Sequence, residues 1–274
     1  MKFVCVSVLV WLAAQALPVG AADAGIYTIV EGNARVLRGV SWVKPVPGVH
    51  MQDGDVLDVP DGAVTQVEMT RGGTLNVAGP ASAFAGSQSG DGKSAPASEW
   101  MILRGWVKAA GDAAGLRLRL PQGTVDLVDA IVVVKADPDS MQMFVETGTA
   151  KVAASGVKSP PREAHAGEWW SRTGDKPFTV DTRAQPAVVA SMPRGFTDPL
   201  PRLRARYGGP APTLKAGTVI TYTEAEPWLS GPYRAQFMRR LQSRLSDPAF
   251  RAGAEGRAAA YPDWDRLLHP ERYQ

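Results

Sequence analysis

Between residues 25 and 180 the chain alternates apolar and polar side chains at period two and breaks at glycine-bearing turns every few positions. Val64-Thr65-Gln66-Val67-Glu68-Met69, Thr74-Leu75-Asn76-Val77 and Leu116-Arg117-Leu118-Arg119-Leu120 each send successive side chains to opposite faces of an extended backbone. Glu31-Gly32-Asn33, Asp53-Gly54-Asp55, Pro60-Asp61-Gly62 and Arg71-Gly72-Gly73 supply the turns between them. Further strands are expected at 26–30, 34–40, 41–43, 123–128, 131–135, 141–146 and 149–153. No amphipathic helical window in this stretch competes. The fold class that follows is mainly β: stacked short strands, sandwich or solenoid-like, with a small α-helical C-terminal region.

The N-terminus reads differently. Met1-Lys2, an apolar run over 3–17 and the small residues Val19, Gly20, Ala21 and Ala22 have the layout of a cleavable secretory signal over 1–21. The run is shorter than the roughly 20 residues that span a bilayer. The mature chain is therefore expected to be periplasmic or secreted, with no transmembrane span after cleavage. Cys5 is the one cysteine and lies in this segment, so disulfides, thiol catalysis and iron–sulfur chemistry are excluded from the mature protein.

The β region is expected over 22–183, divided into two lobes by a flexible loop at 85–99. A proline-rich connector follows over 184–212, with Pro186, Pro193, Pro199, Pro201, Pro210 and Pro212. Residues 213–274 read as mainly helical. Phe237, Leu241 and Leu245 stand at i, i+4 and i+8 of a helix opened by Gly231-Pro232 and ended by Ser246-Asp247-Pro248. There Asp247 caps the next helix with Pro248 in its first turn, and a last short helix is expected at 261–268. Charge divides at the same place. Residues 22–193 hold 16 basic and 19 acidic side chains, net −3, and residues 194–274 hold 13 and 8, net +5. The excess sits in Arg202, Arg204 and Arg206 and in Arg234, Arg239, Arg240 and Arg244. Those last four are either the solvated face of a helix packed on the β body or a docking surface for an acidic partner or anionic glycolipid.

Gly25-Ile26-Tyr27-Thr28-Ile29-Val30-Glu31-Gly32-Asn33-Ala34-Arg35-Val36 resembles the first strand pair of the FecR-like periplasmic domain family. Met51 to Val59, Ala63 to Met69 and Gly73 to Val77 are similar to its central strand-and-turn pattern. Leu120-Pro121-Gln122-Gly123-Thr124-Val125, Val145 to Val152 and Ala166-Gly167-Glu168 resemble its later strands. The resemblance covers about 25–180 and marks a scaffold without chemistry. Members commonly relay an outer-membrane transport signal to a sigma factor through an anti-sigma segment and a membrane span. Here a signal peptide stands first, so the resemblance implies an envelope module that binds protein or glycan.

Catalytic patterns are sparse on that scaffold. His50, His165 and His269 have no His or Cys at ligand spacing. Asp53, Asp55, Asp58 and Asp61 lack the EF-hand order and read as turn acids. Ser155-Gly156-Val157-Lys158 matches S-x-x-K, with Arg172-Thr173-Gly174 downstream, but the serine sits between a strand and Pro160-Pro161 instead of opening a helix, and no S-D-N lies between. No phosphate-binding or dinucleotide fingerprint gives a cofactor a seat. Glu68, Glu146 and Glu168 are strand carboxylates of the kind a glycan hydrolase pairs. Glu168-Trp169-Trp170 suits either a sugar subsite or two tryptophans facing opposite sides of a strand. The expectation is a non-catalytic envelope protein without cofactor or metal, partnered by protein and not by nucleic acid. Trp169 and Trp170, with Arg234, Arg239, Arg240 and Arg244, form its candidate binding surface. The alternative is a cell-wall or exopolysaccharide-binding module stacking sugars on Trp169, Trp170 and Trp42; an envelope glycan hydrolase is a third.

Overall fold

The computed structural model describes residues 24–86 and 95–273. The expected signal segment and positions 87–94 of the expected loop lie outside the described residues. Fourteen strands precede the tail: β1 (Gly25–Glu31), β2 (Arg35–Arg38), β3 (Ser41–Val43), β4 (His50–Met51), β5 (Val56–Val59), β6 (Val64–Met69), β7 (Thr74–Ala85), β8 (Ser98–Ala110), β9 (Leu116–Leu120), β10 (Gly123–Ala136), β11 (Ser140–Ala154), β12 (Arg162–His165), β13 (Trp169–Thr173) and β14 (Thr179–Asp181). The tail adds α1 (Pro186–Ser191), β15 (Ala216–Val219), α2 (Tyr222–Ser230), α3 (Arg234–Arg240), α4 (Pro248–Glu255) and α5 (Pro262–Leu268).

The expected strand pairs 123–128 with 131–135 and 141–146 with 149–153 are each a single long strand. Asp129 takes φ +48° and the β10–β11 register shifts between Val128 and Ile131, so the ladder bends and resumes. Gly148 makes room for this bulge: a Cβ there would lie 2.6 Å from Asp129 O. Beyond the bend β10 changes partner, from β9 over Gly123–Leu127 to β8 over Ile131–Ala136. β7 and β8 bend likewise, with a register shift between Ala78 and Ser82. Of the expected loop, Ala85 pairs with Trp100 at the edge of β7, and residues 98 and 99 belong to β8.

These four bent strands run through two layers. One layer joins β1, β6, the first half of β7, the second half of β8, the second half of β10, the first half of β11, β13 and β14. The other joins β15, β3, β2, β5, the second half of β7, the first half of β8, β9, the first half of β10, the end of β11 and β12. Alternate residues meet between them. Val67, Leu75, Val107, Val132 and Met143 of the first pack with Val36, Leu57, Ile102, Leu118 and Val152 of the second in one buried cluster. At roughly 1.5–3 kcal/mol for each fully buried large apolar side chain, this core dominates the stability of the β body.

The tail covers both outer faces. On the second layer Leu37, Trp42, Val56, Phe84, Met101 and Leu103 pack with Ile220, Trp228, Leu229, Phe237, Phe250 and Trp264. The Trp228 and Phe237 rings stack at 4.5 Å between centroids, with the Phe84 ring edge-on to Phe237 at 5.1 Å. α2 opens on a capping box, in which Thr221 Oγ1 accepts from Glu224 N and Glu224 Oε2 accepts from Thr221 N. Asp247 caps α4 as expected, accepting from Ala249 N and Phe250 N. The helix expected through Leu245 stops at Arg240, and Gln242–Ser246 continues as a tighter 3-10 turn. On the first layer Val188 of α1 and Phe196 pack against Trp106, Val133 and Trp169.

Candidate functional site: a cationic groove beside helix α3

Helix α3 is fixed by what it buries. Phe237 and Met238 enter the apolar cluster, and Arg240 reaches back over the sheet. Its guanidinium donates to the carbonyls of Gly54, Leu37 and Gly39 and lies 5.6 Å from the Phe84 ring centroid. Burial pulls the Arg240 pKa below its ordinary value, and three carbonyl acceptors with the nearby Asp55 charge hold the cation in place. With that face committed, Ala235, Gln236 and Arg239 turn toward the β9–β10 turn and the end of β11, leaving an open groove of about 490 Å³.

Two guanidinium groups and a phenol line this groove. Arg119 stands on the exposed side of β9, with Glu99 at 3.4 Å. Arg239 is exposed, and among the described residues its contact is a 3.4 Å one from Nε to Ala235 O of its own helix. Tyr233 buries its hydroxyl oxygen, which meets no hydrogen-bond partner among the described residues. Burial pushes the Tyr233 phenol far above its usual range, so it stays a neutral donor. No carboxylate lines the groove. Two guanidinium groups beside open space fit a carboxylate-bearing segment, which arginine recognises in a forked geometry.

Of the four expected arginines, this groove takes Arg239 alone. Arg240 staples helix to sheet, Arg244 bonds Ile220 O and Asp247, and Arg234 lies 4.7 Å over the Tyr261 ring. Much of the basic excess is spent inside the molecule. Trp169 and Trp170 correct the sugar-stacking expectation, being 2% and 1% exposed. Adjacent strand residues face opposite sides, so Trp170 enters the central core and Trp169 the outer cluster beside Phe144. Trp42 is buried beneath the Arg35 guanidinium at 4.0 Å.

The acids weighed for catalysis hold structure. Glu68 accepts from the backbone of Leu203 and Arg204, and Glu146 pairs with Lys108 at 2.8 Å. Glu168 is held below the usual carboxylate range by the His165 N–H and then by Trp170 Nε1. Asp55 accepts from Tyr27 Oη and from Arg38 Nε and Nη2, and Asp58 pairs with Arg35. Ser155 Oγ donates to Pro121 O while buried Arg172 bonds Ser155 O, which fixes the S-x-x-K serine as a turn residue. Among the described residues no three His, Cys, Asp or Glu side chains gather as a metal-ligating group, and no helix is long and apolar enough to cross a membrane.

Sequence reasoning missed Arg119 and Tyr233. The alternation of β9 marks Arg119 as outward-facing, but nothing local says that α3 lies beside it. No family model matches this sequence, and no curated protein matches it. Among solved structures it is similar to two crystal structures from Parabacteroides distasonis provisionally described as anti-sigma factors. One is 16% identical with a TM-score of 0.39, over 49% of this chain and 63% of that chain. The other is 13% identical with a TM-score of 0.31, over 52% and 61%. The matched part is therefore under two thirds of either protein's length.

Proposed function

We propose that this chain is an exported, non-catalytic, FecR-like module of the cell envelope that acts in protein–protein interaction or signalling. Its α3 groove receives an acidic segment of a protein partner. The observation that carries this reading is the convergence of Arg119 and Arg239 on a cleft with no carboxylate in its lining. Fixed positive charge of this kind speeds encounter with an acidic surface and selects against basic ones. Export rests on the signal-like N-terminus, and the envelope role on the strand-and-turn resemblance over 25–180.

The test is capture of envelope proteins on the purified mature chain beside its Arg119→Glu/Arg239→Glu variant, followed by calorimetry with the purified captured protein. A specific partner should lose at least tenfold in affinity with the double variant, about 1.4 kcal/mol or more, and weaken as salt rises. A captured protein that binds both forms equally would show that the groove is not its site. Fractionation of expressing cells should recover the shortened chain from the periplasm or medium.

A further inference from the structure

The outer face of the first layer carries a polar row where a sheet packed beneath other chain is ordinarily apolar. Gln66 on β6, Asn76 on β7 and Lys108 on β8 stand directly opposite one another, with Glu68 and Thr74 paired one step along. All five are buried. Residues 196–207 lie across this row, running without regular structure between 3-10 turns at Arg194–Phe196 and Arg204–Tyr207, and what the row binds in this segment is main chain. Lys108 Nζ donates to Phe196 O and Asp198 O, each at 2.8 Å. Gln66 Nε2 donates to Pro201 O at 2.8 Å. The Glu68 carboxylate accepts from Leu203 N at 2.6 Å and Arg204 N at 3.2 Å. Phe196 anchors one end in the pocket of Trp106, Val133 and Trp169. One aromatic anchor followed by backbone groups read in sequence is a peptide-recognition arrangement.

The resident segment does not complete the match. Asn76 Oδ1, Gln66 Oε1 and Thr74 Oγ1 are buried and accept no hydrogen bond from the described residues. The stretch that passes from Lys108 to Gln66, residues 199–201, contains Pro199 and Pro201, which have no N–H to give. We propose that this channel is a binding site for an extended segment of a partner protein, occupied in the free chain by residues 196–207 as a displaceable placeholder. The partner segment carries an aromatic residue at the Phe196 position and N–H-bearing residues at the positions of the two prolines. A second copy of this chain would bring the same prolines and the same deficit. The channel lies on the opposite layer from the α3 groove and stands independently of it.

The probes are two labelled peptides spanning 194–208, one of native sequence and one with Pro199→Ala and Pro201→Ala, titrated by fluorescence anisotropy. The receiving protein is the full chain with Leu203→Pro, which removes the amide that Glu68 accepts and loosens the resident segment. The alanine peptide should bind at least fivefold tighter than the native one, and adding Glu68→Ala to the chain should weaken both at least tenfold. Equal or weaker binding of the alanine peptide, or binding indifferent to Glu68→Ala, overturns the proposal. A Leu203→Pro dimer that the native peptide dissolves would assign the channel to a second copy and overturn the partner assignment. Should Leu203→Pro lose the sheet signature in circular dichroism, hydrogen exchange on the wild-type chain decides. The Leu203 and Arg204 amides should then exchange at least a hundredfold faster than those of β7 and β8, and equal protection would show that the segment does not leave.

Discussion

Arg35 illustrates how much one side chain organises here. Its guanidinium stacks over Trp42, pairs with Asp58 at 2.8 Å and with Glu224 at 2.6 Å, and so ties the start of α2 to β2 and β5. Burial disfavours ionised Glu224, but the Thr221 N–H and Arg35 outweigh it and hold this carboxyl below the usual range. A folded pKa below the unfolded one, about 4.3 for glutamate, gives stabilisation that is complete above that value and lost as pH falls through the folded pKa. The urea midpoint should therefore drop below about pH 4.3, and Glu224→Gln should shrink that drop; equal drops in both chains would remove Glu224 from the account. Gly105 is the second residue with a sharp expectation. It holds φ +105° at the bend of β8, where a Cβ would overlap Ala81. Gly105→Ala should cost about 2 kcal/mol or more from the φ alone plus the clash, read as a lowered denaturation midpoint, whereas Gly174→Ala, with nothing within 4 Å of the added Cβ, should cost less.

At the scale of elements, legibility followed locality. β6 and β9 are where their alternation places them, because period two is written into six or five consecutive residues. The bends in β10 and β11 were not legible as bends. A bulge interrupts the alternation in the same way a turn does, and only the partner strand shows that pairing resumes. α2 went unread: its capping box, Thr221 with Glu224, is a local signal, but Pro227 inside the helix mimics a stop and Gly231-Pro232 draws the expected helix start past it. The Asp247-Pro248 start was plain because a cap is a local hydrogen bond. Asp247→Ala should accordingly cost about 1 kcal/mol of stability, whereas Asp247→Asn or Asp247→Ser should recover most of it. A loss of the same size in all three would mean that the ion pair with Arg244, at 3.0 Å, and not the cap, is what matters. The arginines of the groove were the least legible. Arg239 and Arg240 are neighbours in sequence, yet one faces solvent and the other is spent on three carbonyls, a division set wholly by how α3 docks.

For the whole molecule the consequence is that the tail is part of the fold. Each layer of the β body presents a face that only the tail covers: Leu37, Trp42, Phe84 and Leu103 on one, Trp106 and Trp169 on the other. Lys108 and Glu68 would also lose backbone partners there without it, leaving Lys108 with Glu146 alone, and stripping partners from a buried charge is destabilising. Unfolding of the full chain should therefore be a single cooperative transition in which tail tryptophan fluorescence, from Trp228 and Trp264, moves together with the far-ultraviolet signal of the sheet. A chain ended after Met192 should bind the dye ANS and self-associate, because it exposes apolar surface on both faces at once. Local release of residues 196–207 remains compatible with this, since α2 to α5 keep their own aromatic cluster while that segment lifts. Two separated transitions, with the tail tryptophans melting first and the sheet signal untouched, would make the tail an appendage. The groove beside α3 would then exist only part of the time, and partner affinity would track tail stability as well as the charges on Arg119 and Arg239.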